Sequence, residues 1–136
     1  MIKEIAYQLT WEIRQKVMWP DRPIEYVKLD EDKLGKHFGL YVGDELTSIV
    51  SLFLKDGEAQ FRKFATLESQ QGKGHGTRLL QYLMSELQSM NVKLIWCNAR
   101  KDKTTFYERF GMAKTDKRFA KGGIDYVIME RSLVFE

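Results

Sequence analysis

The chain has 136 residues, with 43% hydrophobic and 30% charged, which fits one soluble domain over residues 1–136 and excludes a disordered or collagen-like polymer. Its 22 Lys and Arg against 19 Asp and Glu leave a formal charge of +3, too weak a bias to point to nucleic acid. The single cysteine, Cys97, forbids an internal disulfide, and with only two histidines beside it no metal site is expected. Residues 1–9 lack the pattern of a signal peptide, and no apolar run approaches the ~20 residues of a membrane helix. A cytoplasmic protein with no membrane partner is predicted.

Ile5, Tyr7 and Leu9 alternate with polar residues, predicting an opening strand. Thr10 then reads as an N-cap for a helix carrying Glu12, Ile13 and Val17, stopped by Pro20 and Pro23. An irregular stretch runs to about Lys36, its Asp30-Glu31-Asp32-Lys33 cluster reading as a solvated loop. Strands over 37–42, 47–54 and 59–66, separated by Gly43-Asp44 and Asp56-Gly57, form an antiparallel meander. Leu79, Leu80, Leu83, Met84, Leu87 and Met90 repeat at helical spacing, with Asn91 as terminator. A strand over 93–99 ends near Asn98. Thr104 or Thr105 then caps a short helix closed by Gly111, and two strands at 112–115 and 124–135 finish the chain. The expected fold is a mixed α/β sheet with one parallel pair, joined by a right-handed crossover and flanked by helices.

The most informative segment is the turn holding Gly72, Gly74 and Gly76 between a strand and a helix. Glycines there let backbone amides converge on a ligand, and a helix starting near Gly76 adds the positive end of its dipole. Lys73 and Arg78 reinforce a phosphate or pyrophosphate site; the plain alternative is a turn without a ligand. A P-loop needs Ser or Thr after Gly-Lys, and Gly72-Lys73 is followed by Gly74. A dinucleotide fingerprint needs glycine at 77, which is Thr. Neither nucleotide pattern fits.

Gln71 to Gly76 does fit Q/R-x-x-G-x-G/A, and Phe106-Tyr107-Glu108-Arg109-Phe110-Gly111-Met112 fits F-Y-x-x-x-G-F with Met112 last. Both elements, with one helix and one strand between them, resemble the GNAT N-acetyltransferase superfamily. The resemblance implies acetyl-CoA as acyl-donor cosubstrate and an amine-bearing acceptor, small molecule or protein. It places pantetheine along Phe64, Ala65 and Thr66. The pyrophosphate falls on the amides of Gln71, Gly72, Lys73, Gly74, His75, Gly76 and Thr77. Asn98 is then a pantetheine contact or, alternatively, a cap. Tyr107 is the implied catalytic acid, protonating the thiolate as the thioester breaks; its alternative is a core aromatic. Glu68 replaces a common proline and Lys103 a common small residue.

No general base is evident. His37 can be a base, an acceptor-site group or a structural histidine, and Arg14 can hold an acidic acceptor or sit in a salt bridge. Cys97 reads as a buried strand residue without a partner for nucleophilic work. The expected function is N-acetylation of a primary amine, with a homodimer admitted. The alternative from another class is a non-catalytic acyl-CoA sensor of the same fold.

Overall fold

A computed structural model describes residues 1–134. Strand β1 (Ile2–Ile5) is short, because the chain turns into a 3-10 helix at Tyr7–Thr10. The alternation through Tyr7 and Leu9 therefore does not mark strand, and Leu9 is left exposed. Thr10 is helical itself and no cap: its hydroxyl donates back to the Tyr7 carbonyl at 2.7 Å. Helix α1 (Trp11–Met18) follows and stops before Pro20 as expected.

The meander forms as the turn residues dictate, from β2 (Lys36–Val42), β3 (Glu45–Lys55) and β4 (Glu58–Thr66). Asp56 and Gly57 take φ of 53° and 80°, the pair of positive values a two-residue hairpin loop needs. Next come α2 (His75–Gln88), β5 (Leu94–Arg100) and α3 (Thr104–Glu108). The last hairpin is β6 (Ala113–Lys121) with β7 (Ile124–Ser132). β6 runs well past the expected stop at Thr115, while the closing strand ends at Ser132, short of Leu133 and Val134; Phe135, its expected end, lies outside the described residues. Thr104 begins α3 instead of preceding it, and α2 ends at Gln88, short of Asn91.

The seven strands form one sheet in the order β1-β2-β3-β4-β5-β7-β6, in which β4 and β5 are the parallel pair. On one face, Leu79, Leu80, Leu83 and Leu87 of α2 are wholly buried against Val50, Leu52, Phe61, Ile95 and Met129. Each such leucine contributes roughly 1.5–3 kcal/mol. On the other face, α1 sets Ile13 against Ile5, Ile49 and Ala65, so it covers only the β1–β4 side.

That cover is pinned by a buried polar network. Arg14, 0% exposed, forks onto Asp32 with both bonds at 2.9 Å and also donates to the Val27 carbonyl and the Ser51 hydroxyl. Asp32 accepts further bonds from the Trp11 indole and the Leu29 amide. The acidic cluster is thus not a solvated loop: it forms a 3-10 turn (Asp30–Leu34) whose third carboxylate, Asp32, is buried. Burial alone would raise the Asp32 pKa, but the donated hydrogen bonds outweigh it and hold the carboxyl below its ordinary 3.8.

Candidate active site

Pairing between β4 and β5 is confined to Glu58–Gln60 against Leu94–Trp96. Beyond it the strands part, and β5 continues alongside β7 alone as far as Arg100. The cause lies in β4. Lys63 takes φ 55°, and the register against β3 slips between Ile49 and Ser51, so the strand carries a bulge that bends it. The apolar positions record the slip: Ala59, Phe61 and then Phe64 face the main core, at spacings of two and then three. The result is a wedge open at the C-terminal ends of both strands.

The glycine turn closes that end. Gly74 is the N-cap position of α2 with φ 83°, a left-handed conformation that costs an L-residue roughly 1–2 kcal/mol. A Cβ on Gly72 would meet nothing within 4 Å, so the loop backbone faces open space. Gly76 serves differently: a Cβ there would lie 3.0 Å from the Phe64 ring, so its absence lets β4 and α2 approach. The helix opens at His75, one residue earlier than expected. His75 is buried and turned onto Arg78, leaving its main chain as its contribution to the loop; its pKa is lowered by burial and by the charges of Arg78 and Lys73.

Phe64, Ala65 and Thr66 lie where β4 has left β5. Two of their carbonyls have partners already, Ala65 from the Ser48 hydroxyl at 3.1 Å and Thr66 from the Gln71 side chain at 3.0 Å. Gln71, Lys73 and Gly72 are exposed on the loop, and Thr77 is half-buried in the first turn of α2.

Across the wedge, α3 is anchored by aromatic contacts. Phe106 stacks on Phe64 with ring centres 6.0 Å apart, and Tyr107 lies 5.6 Å from Phe61. Tyr107 is half-buried, and its hydroxyl is not among the buried atoms left without a partner. Burial first, and then the neighbouring Cys97, push the phenol above its ordinary pKa, while Arg100 pulls the other way. The phenol therefore stays protonated at neutral pH. Burial also drives the Cys97 thiol up to about 12, which makes it an inert packing residue.

Two sequence-predicted residues, Arg14 and His37, sit away from the wedge, and Asn98 points away from the main core. Asn98 is an exposed mid-strand residue paired with Ile128, two positions before the strand ends, so it caps nothing. Its neighbours Cys97 and Ala99 are buried toward α2 and α3, which directs Asn98 to the opposite face. Arg14 is committed to Asp32 and is closed to any acceptor. His37, 2% exposed, donates from Nε2 to the Asp32 carbonyl and accepts from Ser51 at Nδ1, so it is a neutral structural histidine and no base. Lys63, which the sequence did not mark, stands half-buried at the bulge; Arg62 beside it binds Glu31 at 2.6 Å.

Comparison with known proteins agrees with this architecture. Residues 13–133 match a family model described as an acetyltransferase (GNAT) domain. The uncharacterized N-acetyltransferase YitI of Bacillus subtilis (strain 168) is 28% identical, over 97% of this chain and 95% of its own. A Lactobacillus plantarum structure assigned to the N-acetyltransferases superposes with a TM-score of 0.86 at 22% identity, covering 98% of both chains. A GNAT family acetyltransferase from Elizabethkingia anophelis, solved with acetyl-CoA bound, gives 0.75 at 15% identity over 98% of this chain and 97% of its own.

Proposed function

The chain belongs to the GNAT acetyltransferase family, and from that membership we propose that it moves an acetyl group from acetyl-CoA to a primary amine, acting as one domain. The observation that carries the proposal is the wedge: a parallel pair that stops after three residue pairs, with a left-handed glycine turn at its open end and a protonated phenol on its far side. The residues fit the cosubstrate on their own geometry, since the loop backbone at Gly72 has free space before it and the Arg78 guanidinium lies beside Gly74.

Acetyl-CoA supplies the activated thioester. The amides of Gln71 through Thr77 and the N-terminus of α2 hold its pyrophosphate, with Lys73 and Arg78 adding charge. The β4 backbone at Phe64, Ala65 and Thr66 orients the pantetheine arm, and Gln71, being exposed, releases the Thr66 carbonyl when that arm enters. Asn98 faces the acceptor side of the wedge. Tyr107 donates to the sulfur as the amine displaces it, so charge building on the leaving thiolate meets a hydrogen-bond donor.

Thiol release from acetyl-CoA, measured across a panel of primary amines, tests the proposal. Acceptor-dependent release is expected, and acetyl-CoA alone raises thermal stability more than equal NADH or ATP. Binding of acetyl-CoA without acceptor-dependent thiol would leave a sensor in place of an enzyme.

A further inference from the structure

The sheet face opposite α2 and α3 changes at the splay. On the β1–β4 side α1 and the turn at Asp30–Leu34 cover it. On the β5-β7-β6 side no described helix does. Register aligns Trp96 with Glu130, Asn98 with Ile128 and Arg100 with Tyr126 on that bare face, and Phe119 stacks on Tyr126 at 5.1 Å.

Charge differs between the two ends of this face. Glu130, and Glu58 with Lys55 opposite it, lie toward the end where β4 and β5 still pair. Arg62, Lys63 and Arg100 lie at the splayed end, Arg100 being roughly 13 Å beyond Trp96 at ordinary strand rise. Among the described residues, Glu31 is the one carboxylate in ion-pair contact with any of these three, and it holds Arg62. Burial keeps the Lys63 ammonium below the usual lysine range, and Arg62, Arg14 and Lys121 push the same way, against Asp32 alone. Lys63 thus stands half-buried under the repulsion of Arg62, Arg14 and Lys121, which an anion entering beside it relieves, and the exposed Arg100 stands at the same splayed end of the sheet. Arg100 ends β5 just before the turn into α3, which carries Tyr107, so the cationic end is also the α3 end of the wedge.

We propose that the acceptor is a small amine that itself carries an oxyanion, carboxylate or phosphate, received by Lys63 and Arg100 while Tyr126 and Phe119 support its carbon frame. This rests on the acetyltransfer reading above and adds the substrate class. Arg14, the cation the sequence offered for an acidic acceptor, is sealed in the core; the bulge presents Lys63 in its place. A diamine is disfavoured, because its second ammonium would meet the same cations.

Matched acceptors test it: 4-aminobutyrate against butylamine and putrescine, and O-phosphoethanolamine against ethanolamine. With thiol release as readout, at least one acidic amine is expected to exceed its neutral partner by about tenfold in kcat/KM. Lys63→Gln and Arg100→Gln should each raise KM for that amine about tenfold while KM for acetyl-CoA and butylamine holds, and Lys63→Arg should retain the preference. Neutral amines or putrescine used equally well, or all amines impaired alike by both Gln variants, would overturn the proposal. Should acetyl-CoA stabilise the protein while no amine releases thiol, the enzyme reading fails separately. The anion site is then decided by calorimetric titration of 4-aminobutyrate and O-phosphoethanolamine into the acetyl-CoA complex. Binding lost in Lys63→Gln upholds it, and no binding ends it.

Discussion

The two halves of the sheet, divided at the splay between β4 and β5, are built on opposite terms. From β1 to β4 both faces are covered, one by α2 and the other by α1 with its buried Arg14–Asp32 pair. From β5 to β6 one face meets α2 and α3 while the other is bare, and in β6 nearly every residue is exposed. The first half is a rigid wall. The second is a surface, held by its strand ladder and available to a ligand. A wedge between two such halves has one side held by packing on both faces and the other side open.

If this division is right, damage to the closed half should unfold the protein and damage to the open half should not. Arg14→Ala strands a buried carboxylate and should cost about 3–5 kcal/mol, read as a large loss in thermal or urea stability. Phe119→Ala on the bare face should cost only about 1 kcal/mol, the worth of one exposed aromatic pair. Equal costs would erase the distinction between the halves.

At the junction, function should separate from stability. Tyr107→Phe keeps the ring against Phe61 and loses only the hydroxyl. Turnover should fall about 10²-fold, the lower end for general-acid catalysis, because a thiolate already leaves tolerably well at neutral pH. Acetyl-CoA affinity, measured by direct titration, should hold, which marks an interaction made chiefly in the transition state. In the glycine turn, Gly74→Val forces a branched residue to φ 83°. Roughly 1–2 kcal/mol of stability should go, and with it the acetyl-CoA-induced rise in Tm. A retained rise would remove the glycine turn from the site.

The same division explains what the sequence disclosed. Helix α2 was legible because its leucine stripe is all buried, and the glycine turn and the α3 element because their spacing is local. The 24–34 segment was not legible. Its fold depends on Arg14 and Trp11 reaching Asp32 from 18 and 21 residues away, and four charged residues in a row look alike whether solvated or buried. β6 was cut short because an exposed strand has no apolar alternation to show; it is defined by its register with β7. The bulge left one signal, the slipped spacing after Phe61, which places Lys63 where a core residue would otherwise fall.

The smallest expected effect concerns pH and the closed half. His37 is locked neutral between Ser51 and the Asp32 carbonyl, and burial, the largest influence, lowers its pKa below the ordinary 6.5 despite the raising effect of Asp32. The unfolded chain therefore takes up this proton first as pH falls. Stability from neutral His37 is complete above 6.5 and drains away below it, until the folded state protonates as well. The slope for one group is at most about 1.4 kcal/mol per pH unit. Asp32, also depressed, stabilises above 3.8 and loses its share as pH falls further, so its window lies lower. His75 is lowered too, by burial and by Arg78 and Lys73, and the chain has no third histidine. Urea unfolding of the wild type, His37→Gln and His75→Gln between pH 7 and pH 5 separates them. The fall below 6.5 should flatten mainly in His37→Gln, because His37 belongs to the network that pins α1 and the 30–34 turn to the sheet. A slope that vanished in His75→Gln instead would move the pH-sensitive element from the closed half to the glycine loop.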